Sequence, residues 1–252
     1  MPFVKRRPVA VPGSIPAVLG MFEREVRFYL EIAPVLGVRV PECFRAESAA
    51  TGFLLELEDL SSWQPGADPL DAARLLHFMH TRWQGQALAR WPWLESGAAA
   101  TPLIGALFDR SFPALEARPD CPAPVKDLGR GLVGRVREAE AQSEHAGPKT
   151  LIHGDAALQN MRTSADTEIA LLDWEDVSWA PAAGDLAWLV TSSVEPDRWD
   201  EVIDGYGGVQ GFVETLPAVA VQGLLSLSGT TVGSEEAIGW TERLGEVHRR
   251  LA

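Results

Sequence analysis

His153-Gly154-Asp155, followed by Asn160 and then by Leu171-Leu172-Asp173-Trp174-Glu175, constrains this chain more than any other feature. Leu151 and Ile152 ahead of it read as a short buried strand, and Gly154 permits the sharp backbone bend that presents Asp155 to a cleft. Asn160 to Thr163 and Ile169 to Asp173 read as two strands joined by the polar turn Ser164-Ala165-Asp166-Thr167, a hairpin. A turn centred between Asp166 and Thr167 sets Asn160 opposite Asp173. An amide oxygen and a carboxylate meeting at a hairpin end are hard oxygen donors of the kind Mg2+ takes, completing its shell with water and phosphates. Asp155 lies close by, outside that pair. A carboxylate to take a hydroxyl proton, oxygens to hold metal and a cation for the phosphates are the parts that phosphoryl transfer needs.

The strings HGDAALQN (153–160) and LLDWEDVSWAPAAGDLAWL (171–189) resemble the catalytic-loop and metal-binding patterns of the aminoglycoside phosphotransferase and choline kinase family, relatives of the protein kinases. The resemblance extends to LHFMHTRW (76–83), similar to a helix of that family with His80 at its His position. It also covers FLLELEDL (53–60), similar to the hinge between lobes, and Phe3-Val4-Lys5-Arg6, similar to the third strand. The implied fold is α+β: a two-lobed protein-kinase-like fold with a short β lobe over residues 1–60 and a large, mainly helical lobe over 61–252. The implied cofactors are ATP and Mg2+. In the implied site Asp155 is the base, Asn160 and Asp173 hold the metal, Lys5 contacts the phosphates, and the backbone at Glu56 and Leu57 meets adenine. Asp185 resembles a helix start that steadies the catalytic loop. Glu25 is the chosen partner of Lys5 and Glu23 the alternative, because helical periodicity does not settle rotation to within one position. His80 and His153 read as buried, hydrogen-bonded braces, the commoner fate of a lone His on an apolar face.

The helix bearing Glu25 reads as Met21–Ile32, with Phe22, Val26, Tyr29 and Leu30 at helical spacing, Ser14 and Pro16 as start signal and Pro34 as stop. Strands are expected over Val38–Ala46 and Gly52–Leu57, with Asp59–Gly66 linking the lobes. Asp68 and Pro69 open a helix to about Ala89 whose inner face carries Ala73, Leu76, Met79 and Trp83. Helices follow over 101–115 and 123–144, and three or four more from Gly184. Nothing ahead of Lys5 resembles the family's first two strands and phosphate loop, so weak ATP binding is expected. A non-catalytic binding protein is the rival reading. The glycine-rich 205–211 stretch has neither dinucleotide nor P-loop spacing and reads as a loop between helices.

Composition narrows the setting. The 252 residues, 46% apolar, are enough for a sizeable core, and two cysteines, Cys43 and Cys121, argue against a disulfide framework. Without an apolar leader or a run of about 18 apolar residues, a cytoplasmic protein that spans no membrane is expected. Residues 151–252 hold 17 acidic against 5 basic side chains, a net charge of −12. That charge disfavours nucleic acid. It either draws a cationic acceptor, such as an aminoglycoside or choline-like amine, or serves only as a solvated surface. The partner expected is a small molecule with a hydroxyl acceptor; a sugar, a macrolide or a protein amine adduct are further candidates of the same fold.

Overall fold

The computed structural model describes residues 1–49, 51–94 and 97–252. The chain begins with β1 (Phe3–Arg7), α1 (Ile15–Leu19), α2 (Met21–Arg27), β2 (Cys43–Ala49) and β3 (Gly52–Leu57). β3 is the middle strand of an antiparallel sheet ordered β1-β3-β2, with Lys5 opposite Leu55. Alternation along β3 buries Phe53, Leu55 and Leu57 while the residues between them stay half-exposed, the period-two pattern of a sheet with one packed face. Those residues pack on α2 and on the helical turns that continue it, Phe28–Ile32 in wider π geometry and Ala33–Val35 in tighter 3-10 geometry.

The helical part follows as β4 (Gln64–Pro65), α3 (Pro69–Trp83), α4 (Ala87–Arg90), α5 (Thr101–Glu116), α6 (Ala123–Leu132) and α7 (Val136–Glu144). Then come β5 (Lys149–Ile152), β6 (Met161–Thr163), β7 (Ile169–Leu171), β8 (Ser178–Pro181), α8 (Ala183–Ser193), α9 (Trp199–Tyr206), α10 (Phe212–Gly229) and α11 (Glu235–Leu251). α3 starts where expected, its Asp68 carboxylate accepting from the amides of Leu70 and Asp71. Its expected inner face, Ala73, Leu76, Met79 and Trp83, is buried.

Several boundaries differ from the sequence reading, each for a local backbone reason. The strand expected over Val38–Ala46 forms at Cys43–Ala49, after Pro41, which has no N–H to give a ladder. Arg39 instead makes a lone parallel bridge to Ala170, and its carbonyl accepts from Leu171 N at 3.0 Å. Gly20, left-handed at φ 63, separates α1 from α2, so the Ser14–Pro16 start belongs to a short helix of its own. α3 ends at Trp83 rather than near Ala89, and the helix expected over 123–144 divides into α6 and α7. The expected link Asp59–Gly66 contains β4, which pairs with β6 beside β7.

α10 corrects the expectation about apolar runs. Its 18 residues have a mean hydropathy of 1.2, long and apolar enough by length and composition to cross a membrane. Here it is a core helix: 56% of it is buried, and its neighbours include α5, α7, α8 and α11. Arg118, 8% exposed, ties its C-terminal end by donating to the carbonyls of Leu227 (3.0 Å), which also accepts from the Thr230 amide, and of Thr230 (2.9 Å).

Candidate active site

β5 runs between buried neighbours into the His153-Gly154-Asp155 turn, with Leu151 fully buried. Gly154 adopts φ 86, and a Cβ there would lie 2.3 Å from the carbonyl oxygen of Asp176, so the turn requires glycine on two counts. Asp185, in the first turn of α8 and 1% exposed, accepts from the amides of His153 (2.7 Å) and Gly154 (2.8 Å). His80 Nε2 lies 3.0 Å from the same carboxylate, and its Nδ1 meets the Tyr206 hydroxyl at 2.7 Å. Burial alone would raise the Asp185 carboxyl. The contacts from His80 and the His153 amide outweigh it and hold the group below the usual carboxylate range. His80 is therefore the buried brace expected.

His153 is a brace as well. Its Nε2 donates to Leu172 O at 2.8 Å while its Nδ1 accepts from Asp155 N at 3.2 Å, a pattern that needs one proton on the ring, at Nε2. It links the His153-Gly154-Asp155 turn to the strand that ends before Asp173. Asp155 is held at both oxygens: Asn160 Nδ2 donates to Oδ2 at 2.8 Å, and Trp188 Nε1 donates to Oδ1 at 2.5 Å. Trp188 was missed in the sequence. The signal was there, since it stands three residues after Asp185 on α8 and so shares a helical face with it.

The hairpin corrects the expected pairing of Asn160 with Asp173. Met161 lies opposite Leu171 and Thr163 opposite Ile169, so the register is one residue off and Asn160 meets Leu172, whose amide donates to Asn160 O at 2.8 Å. The cause is the turn. Thr167 N bonds to Ser164 O at 3.0 Å and Thr167 takes φ 66, giving a three-residue loop in which a left-handed residue follows a type I-like turn. Asp173 stands past the end of β7 and is itself left-handed at φ 61, a conformation costing a non-glycine residue roughly 1–2 kcal/mol. That bend sends its carboxylate and the Trp174 ring in different directions. Trp174 is fully buried, stacked on Phe28 at 4.0 Å between centroids and 4.4 Å from the His153 ring.

Lys5, Glu25 and Asp173 are brought together. Lys5 Nζ lies 3.0 and 2.8 Å from the two Glu25 oxygens and 2.6 Å from Asp173 Oδ1, with Glu175 at 3.5 Å. Glu23 is exposed, so the rotation left open in the sequence resolves in favour of Glu25. Burial would lower the Lys5 ammonium, but the surrounding carboxylates raise it. Burial pushes Glu25 up, to about 7, against the pull of Lys5. The two directions oppose each other; two short contacts to one ammonium favour the ionised pair. Glu25, Asp173 and Glu175 each place an oxygen within 4.8 Å of the others, with the Lys5 ammonium as their counter-ion. Glu56 and Leu57 are not part of this cluster. They lie within β3, Glu56 opposite Val4 and Arg45 and Leu57 opposite Phe3 and Cys43.

The donor set suits Mg2+. With Asn160 Nδ2 committed to Asp155, the remaining acceptor of that amide is Oδ1. Asp173, 38% exposed and bound to Lys5 through Oδ1, has a second oxygen to offer. Both are hard oxygen ligands. Beyond Gly154 and Trp188 opens a cavity of about 500 Å³, lined also by Asp176, Glu140, Glu144 and Gln222. Burial, and next the Asp155 charge, raise Asp176 to about 7.

Residues 16–220 match the model of the phosphotransferase enzyme family, APH. The chain belongs to this family. Among solved structures, this APH-family chain resembles aminoglycoside phosphotransferase APH(3'')-Id from Streptomyces rimosus ATCC10970, in complex with ADP and streptomycin. That likeness has a TM-score of 0.57 and 17% identity over 88% of this chain and 86% of the other. Choline kinase LicA from Streptococcus pneumoniae aligns with a TM-score of 0.58 and 16% identity over 98% and 85% of the two chains. Spectinomycin phosphotransferase APH(9)-Ia, in complex with ADP and spectinomycin, aligns with a TM-score of 0.55 and 13% identity over 98% and 85%. The fold is thus the protein-kinase-like one expected, with small sheets and a larger helical part. None of the curated proteins matches this chain in sequence.

Proposed function

We propose that this APH-family chain is a small-molecule kinase that moves the γ-phosphoryl group of ATP, with Mg2+, to a hydroxyl of a small acceptor. One observation carries the reading. Asp155 with Asn160, and Lys5 with Asp173, are held in one hydrogen-bonded frame through the contacts of His153 and Asn160 with Leu172. When bound, Mg-ATP supplies the phosphoryl group and the metal neutralises its charge. The ADP complexes of two structural neighbours support a nucleotide site here.

Asn160 Oδ1 and Asp173 would hold the metal, and Glu25 orients Lys5 towards the nucleotide phosphates. The backbone at Glu56 and Leu57, expected to meet adenine, is instead paired with β1 and β2 inside the sheet. Asp155 orients the acceptor hydroxyl and takes its proton as that oxygen bonds to phosphorus and ADP leaves. Two donors, from Asn160 and Trp188, fix the Asp155 carboxylate in place, which suits a group whose main task is positioning. The bend at Asp173 keeps its carboxylate at the cluster while Trp174 anchors the backbone behind it.

Calorimetric titration with ATP and Mg2+ tests the metal assignment: Asp173→Ala is expected to abolish Mg2+-dependent binding. Normal binding by that variant would refute it. Wild-type chain that binds nucleotide but releases no ADP with any alcohol would give way to the non-catalytic reading.

A further inference from the structure

One helical turn beyond Glu25, Tyr29 buries a hydroxyl that bonds to nothing. Tyr29 stands four residues on, in the π-geometry segment Phe28–Ile32, so the two side chains share a helical face. The residue is 3% exposed, and its ring lies edge-on to Phe28 at 5.2 Å between centroids. Its hydroxyl is closed off from solvent and has no hydrogen-bond partner among the described residues. A buried hydroxyl left unpaired costs free energy that an acceptor would recover. Burial raises the phenol well above its ordinary range, with smaller contributions from Glu25, Cys43 and Asp173, so it stays a protonated donor.

The other donors around Glu25 are engaged or weak. Lys5 Nζ takes both Glu25 oxygens, at 3.0 and 2.8 Å. Arg7 contacts Glu175 at 3.4 Å, and Arg24 donates to Leu19 O at 2.8 Å and Val177 O at 3.2 Å. Cys43 offers only a half-buried thiol, a poor donor. Glu25 is itself 1% exposed, so a donor that leaves it is not replaced from bulk water.

Resting on the phosphotransfer reading, we propose that Tyr29 is a positioning residue for Lys5. When the Lys5 ammonium turns a hydrogen to the nucleotide phosphates, one Glu25 oxygen loses its donor, and the Tyr29 hydroxyl donates to that oxygen instead. Glu25 stays ionised and in place, with its other oxygen on Lys5. Tyr29 acts through Glu25 and touches no substrate. The bond forms only when phosphates draw Lys5, so losing it weakens ligands that carry phosphates and spares those that do not.

The test is calorimetric titration of the full chain and of Tyr29→Phe with Mg-ATP and with adenosine, beside thermal melting without ligand. Phenylalanine keeps the ring packing and removes only the hydroxyl. Mg-ATP is expected to bind about tenfold more weakly to Tyr29→Phe, the size of one hydrogen bond to a charged group. Adenosine binding is expected to be unchanged, and the melting temperature equal or higher, because the unpaired hydroxyl is gone. Equal loss for both ligands, no loss for Mg-ATP, a lowered melting temperature, or a wild-type chain that binds neither ligand overturns the assignment. ADP release with a panel of small alcohols keeps the two readings apart. Phosphate-selective loss in a chain that releases no ADP upholds Tyr29 and sinks phosphotransfer; ADP release by wild type, with normal Mg-ATP binding in Tyr29→Phe, does the reverse.

Discussion

The sheet β1-β3-β2 and the β5–α8 core hold opposite sides of the candidate site, and they do so by different forces. β1 is exposed along its length except at Lys5, and its Phe3 and Val4 are 52% and 47% exposed. Lys5 is positioned by the ladder to β3 and by three carboxylates. Around Asp155 the supports are buried: Asp185, His80, His153 and Thr150 are each at most 2% exposed and joined by hydrogen bonds. Charge at a half-open edge is screened by salt and tolerates displacement, whereas a buried hydrogen-bonded network loses its desolvation balance when one member goes. The Asp155 side is built to stay fixed, and the Lys5 side to respond to charge.

Four measurements can break or sharpen this contrast. Asp155→Asn is expected to lower turnover roughly 10²- to 10⁴-fold, the usual range for a lost general base, with the melting temperature little changed. Unchanged turnover would remove Asp155 from the chemistry. Asp185→Ala leaves two amides and His80 without their acceptor in a fully buried place, and is expected to cost about 3–5 kcal/mol in urea unfolding. A loss below about 1 kcal/mol would mean that the core is not held as described.

Glu140→Gln is expected to stabilise the chain at pH 8. A carboxyl raised to about 7 on folding, from 4.5, contributes stability that is complete below 4.5 and is lost as pH rises through 7. The glutamine variant should therefore gain roughly 1–3 kcal/mol over wild type at pH 8, the gain vanishing as pH falls towards 4.5. Urea midpoints at the two pH values decide it, and a gain independent of pH would rule out this burial effect. Arg7→Ala removes a 3.4 Å contact to Glu175 from a side chain 42% exposed, and is expected to change stability by no more than about 0.5 kcal/mol. A loss comparable to that of Asp185→Ala would erase the difference between the two regions.

Much of this site was legible because it is local. The His153-Gly154-Asp155 bend, the hairpin and the Asp68 start of α3 depend on backbone preferences of neighbouring residues, and each formed close to its expected place. Errors arose where one residue changes the answer. Thr167 in a left-handed turn shifts the hairpin by one position, which in a strand turns a side chain to the other face. Glu23 and Glu25 differ by about 200° around a helix, so periodicity alone left both open.

Sequence by itself determined the chemistry on hand: an Asp behind a glycine bend, an Asn and an Asp near a hairpin, a Lys on a strand and a Glu on the next helix. Tertiary structure decided which of these meet. The contact of Lys5 with Asp173 joins positions 168 residues apart, and the Trp188 bond to Asp155 and the burial of a Glu140 oxygen that has no hydrogen-bond partner among the described residues exist only once separate elements pack. The physical reason is range. Turn and cap preferences act within a few residues, whereas burial, desolvation and ion pairing are set by whatever the packed chain brings alongside.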